Sequence, residues 1–507
     1  MGRKSRKIRE RRAREAEFKR VYVDAPPPRY PAHPLPSAGT TGSERLLAKL
    51  AKDTFLSLWS YPNVVRAERR PNGGTQGKEI ADLLVVFDND VVLFSDKDCA
   101  FGDTGNLQVD WSRWYRKAVE KAAAQLRGAE RQIRADPTNI FLDARCQVRL
   151  PIPLPAAPQM RIHRIVVAHG ASDRCAKHLG GSGSLVIAPD IVGDAHTTGD
   201  HPFAIGTIDR SKPFVHVLGD RSLLLLMQYL DTVSDFVGYL RKKEALIQSG
   251  RLAVAMGEEA LLGQYVGALN DEGEHDFVVS PDIERISLRE DRWHRFLESP
   301  ELRSKLAADR VSYSWDGLIE EFTGHFRAGT SDFLSEVGSV AEDFEKVLRF
   351  FARENRTRRR MLADNIRDML ARTPAAQRRI RYVPPSRPGD PYWVFLLLPF
   401  AHNLPVATTY EHYRTIRRRH LEDCMSVVKL LNPDAMDLVG FATESGRLEV
   451  GHGSEDAGYL DAREWTPERD ADARDVQVKA QILMNPDRLP TNVAEYPASR
   501  SRRPEKA

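Results

Sequence analysis

Asp82 and Lys97 stand fifteen residues apart at the outer ends of two apolar runs. A carboxylate beside a lysine is the pairing that phosphodiester chemistry asks for. The carboxylate can hold a divalent cation, which stabilises phosphate charge and makes its bound water a better nucleophile, and the ammonium adds a point charge beside that water. Between the runs lie Asp88-Asn89-Asp90, turn residues that suit a short hairpin loop. In an antiparallel pair the outer ends lie side by side, so folding the hairpin brings Asp82 to Lys97. Period-two alternation sets Ser95 and Lys97 on one face and Asp96 on the other, so Asp96 joins Asp82 only where a bulge re-aims it.

The stretch from Gly77 to Asp98 resembles the core of the PD-(D/E)XK nucleases, the restriction-endonuclease-like superfamily, and in pattern the nuclease-related (NERD) domains: an Asp, an apolar hairpin, then Glu-x-Lys at a similar interval. Asp82 and Lys97 match, and Ser95 stands where the pattern has its second acid. The resemblance implies a Mg²⁺-dependent nuclease, with Mn²⁺ as substitute. Asp82 would bind metal, Lys97 would sit at the attacking water, Ser95 would occupy the displaced acid position, and Gln125 would position one of these groups. The missing carboxylate has several sources: Glu68 or Asp96 as metal ligands, Glu79 just before Asp82, or Asp110, Glu120 and Asp103 after the hairpin, as in family variants with Ser-x-Lys. Glu44 reads either as an assisting acid of the first helix or as the capping residue of that helix.

Helical periodicity over residues 43–59, with Thr41 or Ser43 as cap, precedes a strand at 64–68 and the hairpin. A helix over 111–134, with Asp110 as its cap, carries Arg113, Lys117, Lys121 and Gln125 at four-residue steps on one face. The first three are the candidate nucleic-acid contacts. A strand over 162–168 completes the order helix, three strands, helix, strand, which is that of the superfamily core. Strand-like pieces at 185–187, 203–206 and 214–218 lead to an apolar helix over 221–247. Beyond residue 250 the pattern turns mainly helical, broken by the Pro-rich stretch 384–391, with strands at 392–398 and 438–443.

The expected fold is therefore an α/β N-terminal domain, a restriction-endonuclease-like mixed sheet flanked by helices, followed by a mainly α accessory domain with a few strands. The segments are a basic arm and Pro-rich linker (1–40), the nuclease domain (41–250), a helical domain (251–383), an α/β C-terminal region (384–496) and a disordered tail (497–507). The 507 residues, 41% hydrophobic and 29% charged, suffice for more than one core. No apolar run reaches the length of a membrane span, and the basic opening lacks the apolar segment of a secretory signal, which points to a cytoplasmic protein. The four cysteines form no CxxC pair, and His169, His178, His196 and His201 follow no zinc spacing. Net charge is only +4, but the arm at residues 1–20 is dense in Arg and Lys and suits phosphate contacts without sequence choice. The basic run Arg356-Thr357-Arg358-Arg359-Arg360 extends such a surface if it is exposed. The reading that follows is a metal-dependent nuclease acting on DNA, in phage defence or DNA repair. Its alternative is an inactive nuclease fold that binds nucleic acid or protein.

Overall fold

The computed structural model describes residues 38–70, 73–330, 340–400, 406–446, 454–484, 486 and 493–497. The basic arm at 1–20, the Pro-rich stretch 26–36 and the tail beyond 497 lie outside the described residues. The chain falls into two compact units, one from Pro34 to Ala307 joined by Tyr496, the other from Ala308 to Glu495.

The first unit opens with α1 (Gly42–Phe55), started by a capping box in which Thr41 takes the Glu44 amide and Glu44 reaches back to the cap. Leu56, at φ +63°, ends it and turns the chain into β1 (Ser60–Arg69). Then come β2 (Thr75–Phe87) and β3 (Asp90–Lys97), joined by Asp88-Asn89 with Asp88 at φ +51°, the left-handed setting that a two-residue hairpin turn requires. Next is α2 (Leu107–Tyr115), capped by Asn106 rather than by Asp110, whose buried carboxylate accepts from the Thr104 amide instead. A π-helical turn, Arg116–Glu120, interrupts the expected single helix before α3 (Lys121–Ala135). There follow β4 (Arg161–Ala168), α4 (Ser172–Leu179), β5 (Val186–Val192), α5 (Ala195–Thr198), β6 (Ala204–Thr207), β7 (His216–Gly219), α6 (Asp220–Tyr229) and α7 (Val233–Gln248). The apolar segment 221–247 is thus two helices, because Thr232 caps a new one by accepting from the Asp235 amide. Finally β8 (Leu252–Ala255), α8 (Glu258–Val266), β9 (Ile286–Leu288), α9 (Asp291–Glu298) and α10 (Pro300–Asp309) run to the boundary. No break falls at residue 250, since β8 pairs with β5.

The main sheet has the order β1-β2-β3-β4-β7, antiparallel from β1 to β3 and parallel from β3 to β7. A second sheet, β6-β5-β8-β9, extends the unit. One face of the main sheet packs on α1 and α7 through Phe94, Phe55 and Phe236, the last two ring centroids 5.1 Å apart edge to face. The other face packs on α3, where Arg164 of β4 pairs with Glu130. Asp82, Ser95 and Lys97 share the α3 face, because Leu83 opposes Phe94 and each neighbour alternates.

The second unit holds α11 (Tyr313–Ala328), α12 (Val340–Arg353), α13 (Arg356–Arg372), β10 (Arg379–Val383), β11 (Tyr392–Leu398), α14 (Val406–Leu431), β12 (Asp437–Glu444), β13 (Asp456–Asp461) and α15 (Pro467–Ala480). Its sheet runs β10-β11-β12-β13, with β11 and β12 parallel across the α14 crossover. The basic run read as a surface is internal: Arg356 and Arg359 both bind Asp316 at 2.7 Å, Arg360 binds Asp309 at 2.8 Å, and Arg358 donates to the Pro384 carbonyl. All four side chains are buried, because their acidic partners come from elements that the local pattern does not reveal.

Candidate active site at the end of the hairpin

The hairpin brings Asp82 and Lys97 together, with Lys97 Nζ 3.8 Å from Asp82 Oδ2. The same oxygen accepts the backbone N–H of Asp96 at 2.6 Å, which fixes the carboxylate's orientation from the neighbouring strand. A bulge completes the group. Val64 faces Ala81, but Val65 faces Glu79, so Ile80 is an extra residue in β2. Strict alternation would set Glu79 and Asp82 on opposite faces; the bulge shifts the parity and brings the two carboxyl groups close to each other on one face.

That contact governs the acidity of the pair. Glu79 is pushed up from an ordinary 4.5 to about 7, first by its hydrogen bond to Asp82, then by burial and by the negative charges of Asp82 and Glu44, with Lys97 opposing. Two carboxyl groups in contact share one proton rather than both ionising. Glu44 stands nearby. Burial alone would raise its pKa, but hydrogen bonds from Asn63 Nδ2 at 2.9 Å and from the amides of Thr40 and Thr41 outweigh burial and hold it below the ordinary value. Glu44 is thus the capping residue and an ionised neighbour of Glu79 at once.

Comparison of the chain with protein-family models, with curated proteins and with solved structures gives no match. What the site can do therefore rests on its own chemistry. Two neighbouring carboxyl groups repel when both are ionised, and a divalent cation between them relieves that repulsion, so the pair fits a hard cation with oxygen ligands.

The other candidates are placed elsewhere. Asp96 points away from Asp82 and binds His169 Nε2 at 2.5 Å on the opposite face, as the alternation of β3 requires, so it is no ligand beside Asp82. Glu68 lies at the far end of β1, paired with Arg66 at 2.8 Å and opposite Gln76. Ser95 is buried on the Asp82 face. Gln125 lies on the exposed side of α3, because Ala122, Ala123 and Leu126 take the buried side, and so it does not reach into the sheet. Arg113, Lys117 and Lys121 are exposed as expected, although the π turn interrupts their regular spacing. Asp103 pairs with Arg174 at 3.1 Å, and Glu120 is exposed. Glu79 was visible in the sequence only as one acid among several, since nothing in the alternation of β2 marks the bulge.

Proposed function

We propose that this chain is a metal-dependent nuclease that hydrolyses phosphodiester bonds in DNA, with Glu79 and Asp82 as the acidic pair, Lys97 as the cationic partner and Glu44 as a supporting charge. One observation carries the reading: a bulge sets Glu79 on the same face as Asp82, beside a lysine 3.8 Å from Asp82, at the end of a hairpin in a sheet whose neighbours arrive in the order helix, three strands, helix, strand. Mg²⁺, or Mn²⁺ in its stead, would be held by Asp82 and Glu79 and would supply Lewis acidity to the phosphate and its water. The protein's own groups do the rest. The Asp96 amide orients Asp82, Glu44 keeps the local potential negative for a cation, and Lys97 offers its ammonium to the phosphate or to the attacking water. Arg113, Lys117 and Lys121 present an exposed basic stripe for the DNA backbone on the helical layer that covers this face of the sheet.

The test is incubation of the purified chain with plasmid and single-stranded DNA in Mg²⁺, Mn²⁺ or chelator. Cleavage is expected with metal only. Glu79→Gln, Asp82→Asn and Lys97→Met are each expected to lower it at least about a hundredfold, the scale on which loss of a metal-orienting group acts. A wild-type protein that leaves every substrate intact, or variants that cut as well as wild type, would overturn the assignment.

A further inference from the structure

We propose that His163, His216 and Glu244 form a second metal site, for a zinc-class divalent ion, that ties α7 to the main sheet. β4 and β7 are parallel neighbours in which Ile165 opposes His216, so His163, two residues before Ile165, shares a face with His216. Helix α7 lays Glu244 over the same face. One ligand atom from each of the three lies within 4.8 Å of the others, and His216 Nε2 is 3.9 Å from Glu244 Oε2. Around a tetrahedral ion with bonds of about 2.0–2.1 Å the three atoms draw in to about 3.3 Å of one another, within reach of side-chain rotation.

The polar groups are built as ligands usually are. Both histidines are buried, and His163 Nδ1 and both ring nitrogens of His216 have no hydrogen-bond partner among the described residues, a rare condition for buried polar atoms. His163 Nε2 faces Asp90 Oδ1 at 2.9 Å. Asp90 also binds Arg161 at 3.0 Å and Arg241 at 3.4 Å, so it is a carboxylate that only accepts, and the His163 proton belongs on Nε2. That leaves the Nδ1 lone pair for an ion, in the carboxylate–histidine–metal arrangement of known sites. The other oxygen of Glu244 accepts from Gln248 Nε2 at 2.9 Å, so the carboxylate is braced in turn.

Neighbouring cations do not occupy the site, because Lys243 is held by both oxygens of Glu258 at 2.7 Å and Arg164 by Glu130. Two imidazoles with one carboxylate favour zinc-class ions over Mg²⁺ or Ca²⁺, which take oxygen ligands. The site is separate from the hairpin acids. His163 opposes Val92, five residues before Lys97 on β3, a span of about 17 Å along the strand.

The experiment uses the full chain, stripped with chelator, then titrated with Zn²⁺ by calorimetry and with Co²⁺ by visible absorption. Wild type is expected to take one Zn²⁺ at this site, to show the intense bands of four-coordinate Co²⁺ and to melt at higher temperature with Zn²⁺. Glu244→Gln, at a partly exposed position, and His216→Gln should each weaken zinc at least about a hundredfold, and Asp90→Asn about 10–100-fold. Asp82→Asn should leave this binding unchanged. A wild type without zinc, equal zinc in wild type and Glu244→Gln, or zinc lost in Asp82→Asn instead would overturn the site. If His216→Gln does not fold, Glu244→Gln decides alone.

Discussion

Replacing Glu79 by Gln should make the metal-free protein more stable at pH 8 and leave it unchanged at pH 4, and under the nuclease reading it should remove DNA cleavage. In the folded chain the Glu79 carboxyl titrates near 7, against 4.5 when free of its neighbours. Folding therefore takes up a proton between those values, and the native state is favoured least where both members of the pair are ionised. The contribution of this pair to stability is greatest below pH 4.5, falls as pH rises to about 7, and levels off above. At about 1.36 kcal/mol for each tenfold change in acidity, the rise from 4.5 to about 7 corresponds to about 3.4 kcal/mol. The Glu79 side chain is exposed, and solvent screening brings this down to about 1 kcal/mol. Gln keeps a hydrogen bond to Asp82 and loses the charge, so Glu79→Gln should gain that amount at pH 8. The assay is urea denaturation with chelator at pH 4, 6 and 8, comparing wild type with variant. Mg²⁺ should stabilise wild type at pH 8 and not Glu79→Gln. A difference between the two proteins that does not vary with pH, or a Glu79→Gln protein destabilised throughout, would refute the shared-proton pair.

Three further perturbations probe the surroundings. Asp96→Asn should change cleavage by less than about tenfold, against a loss for Asp82→Asn, because the Asp96 amide that orients Asp82 is retained. The same variant removes the partner that, more than any other group, raises His169. The ion pair's contribution, about 1 kcal/mol, is present below pH 6.5 and lost as pH rises through the raised His169 value, so denaturation of Asp96→Asn should differ from wild type most in acid. Gly170→Ala should cost about 2–3 kcal/mol in denaturation, since Gly170 sits at φ +90° and an added Cβ would lie 2.2 Å from the Cys99 carbonyl oxygen. Arg417→Met should cost about 3–5 kcal/mol by taking from Asp456, fully buried, the Arg417 ion pair while the Arg414 pair remains, and under the nuclease reading cleavage per folded molecule should stay unchanged.

The hairpin was legible because its signals are local: alternating apolar residues, turn residues at Asp88-Asn89, and Asp82 and Lys97 at ends that any antiparallel pairing must bring together. The order of flanking elements was legible for the same reason. What failed was non-local or depended on a single inserted residue. The arginines of α13 read as a surface because their partners Asp309 and Asp316 lie some forty to fifty residues earlier, on elements that meet α13 only after folding. Asp110 and Asn106 both suit a helix start, and only the observed hydrogen bonds, Asn106 to Val109 and Asp110 to Thr104, separate cap from buried acid. His163 and His216 lie on strands that the sequence already suggested, yet they meet only because β4 and β7 are neighbours in the sheet, a pairing that no spacing encodes.

Ser95 is the departure that matters most, and the bulge gives it a physical sense. Residue 95 opposes the Asp82 region on the α3 face, so an acid there would stand beside Asp82 across two paired strands. In this chain that position is small and buried, and the acid that shares the face of Asp82 comes from its own strand instead, three residues earlier. Three residues is the wrong parity for a regular strand, which is why Glu79 is easily dismissed on alternation alone. One extra residue corrects the parity, and it is found in β2, at Ile80, not in β3 where Asp96 would have needed it. Under the nuclease reading, the second carboxylate has moved from one strand of the hairpin to the other. Removing the bulge while keeping the acid would undo it: one residue inserted between Val64 and Val65 would give Ile80 a partner, return Glu79 to the α1 face and leave Asp82 with Lys97, whereas deleting Ile80 would keep Glu79 on the Asp82 face, two residues away.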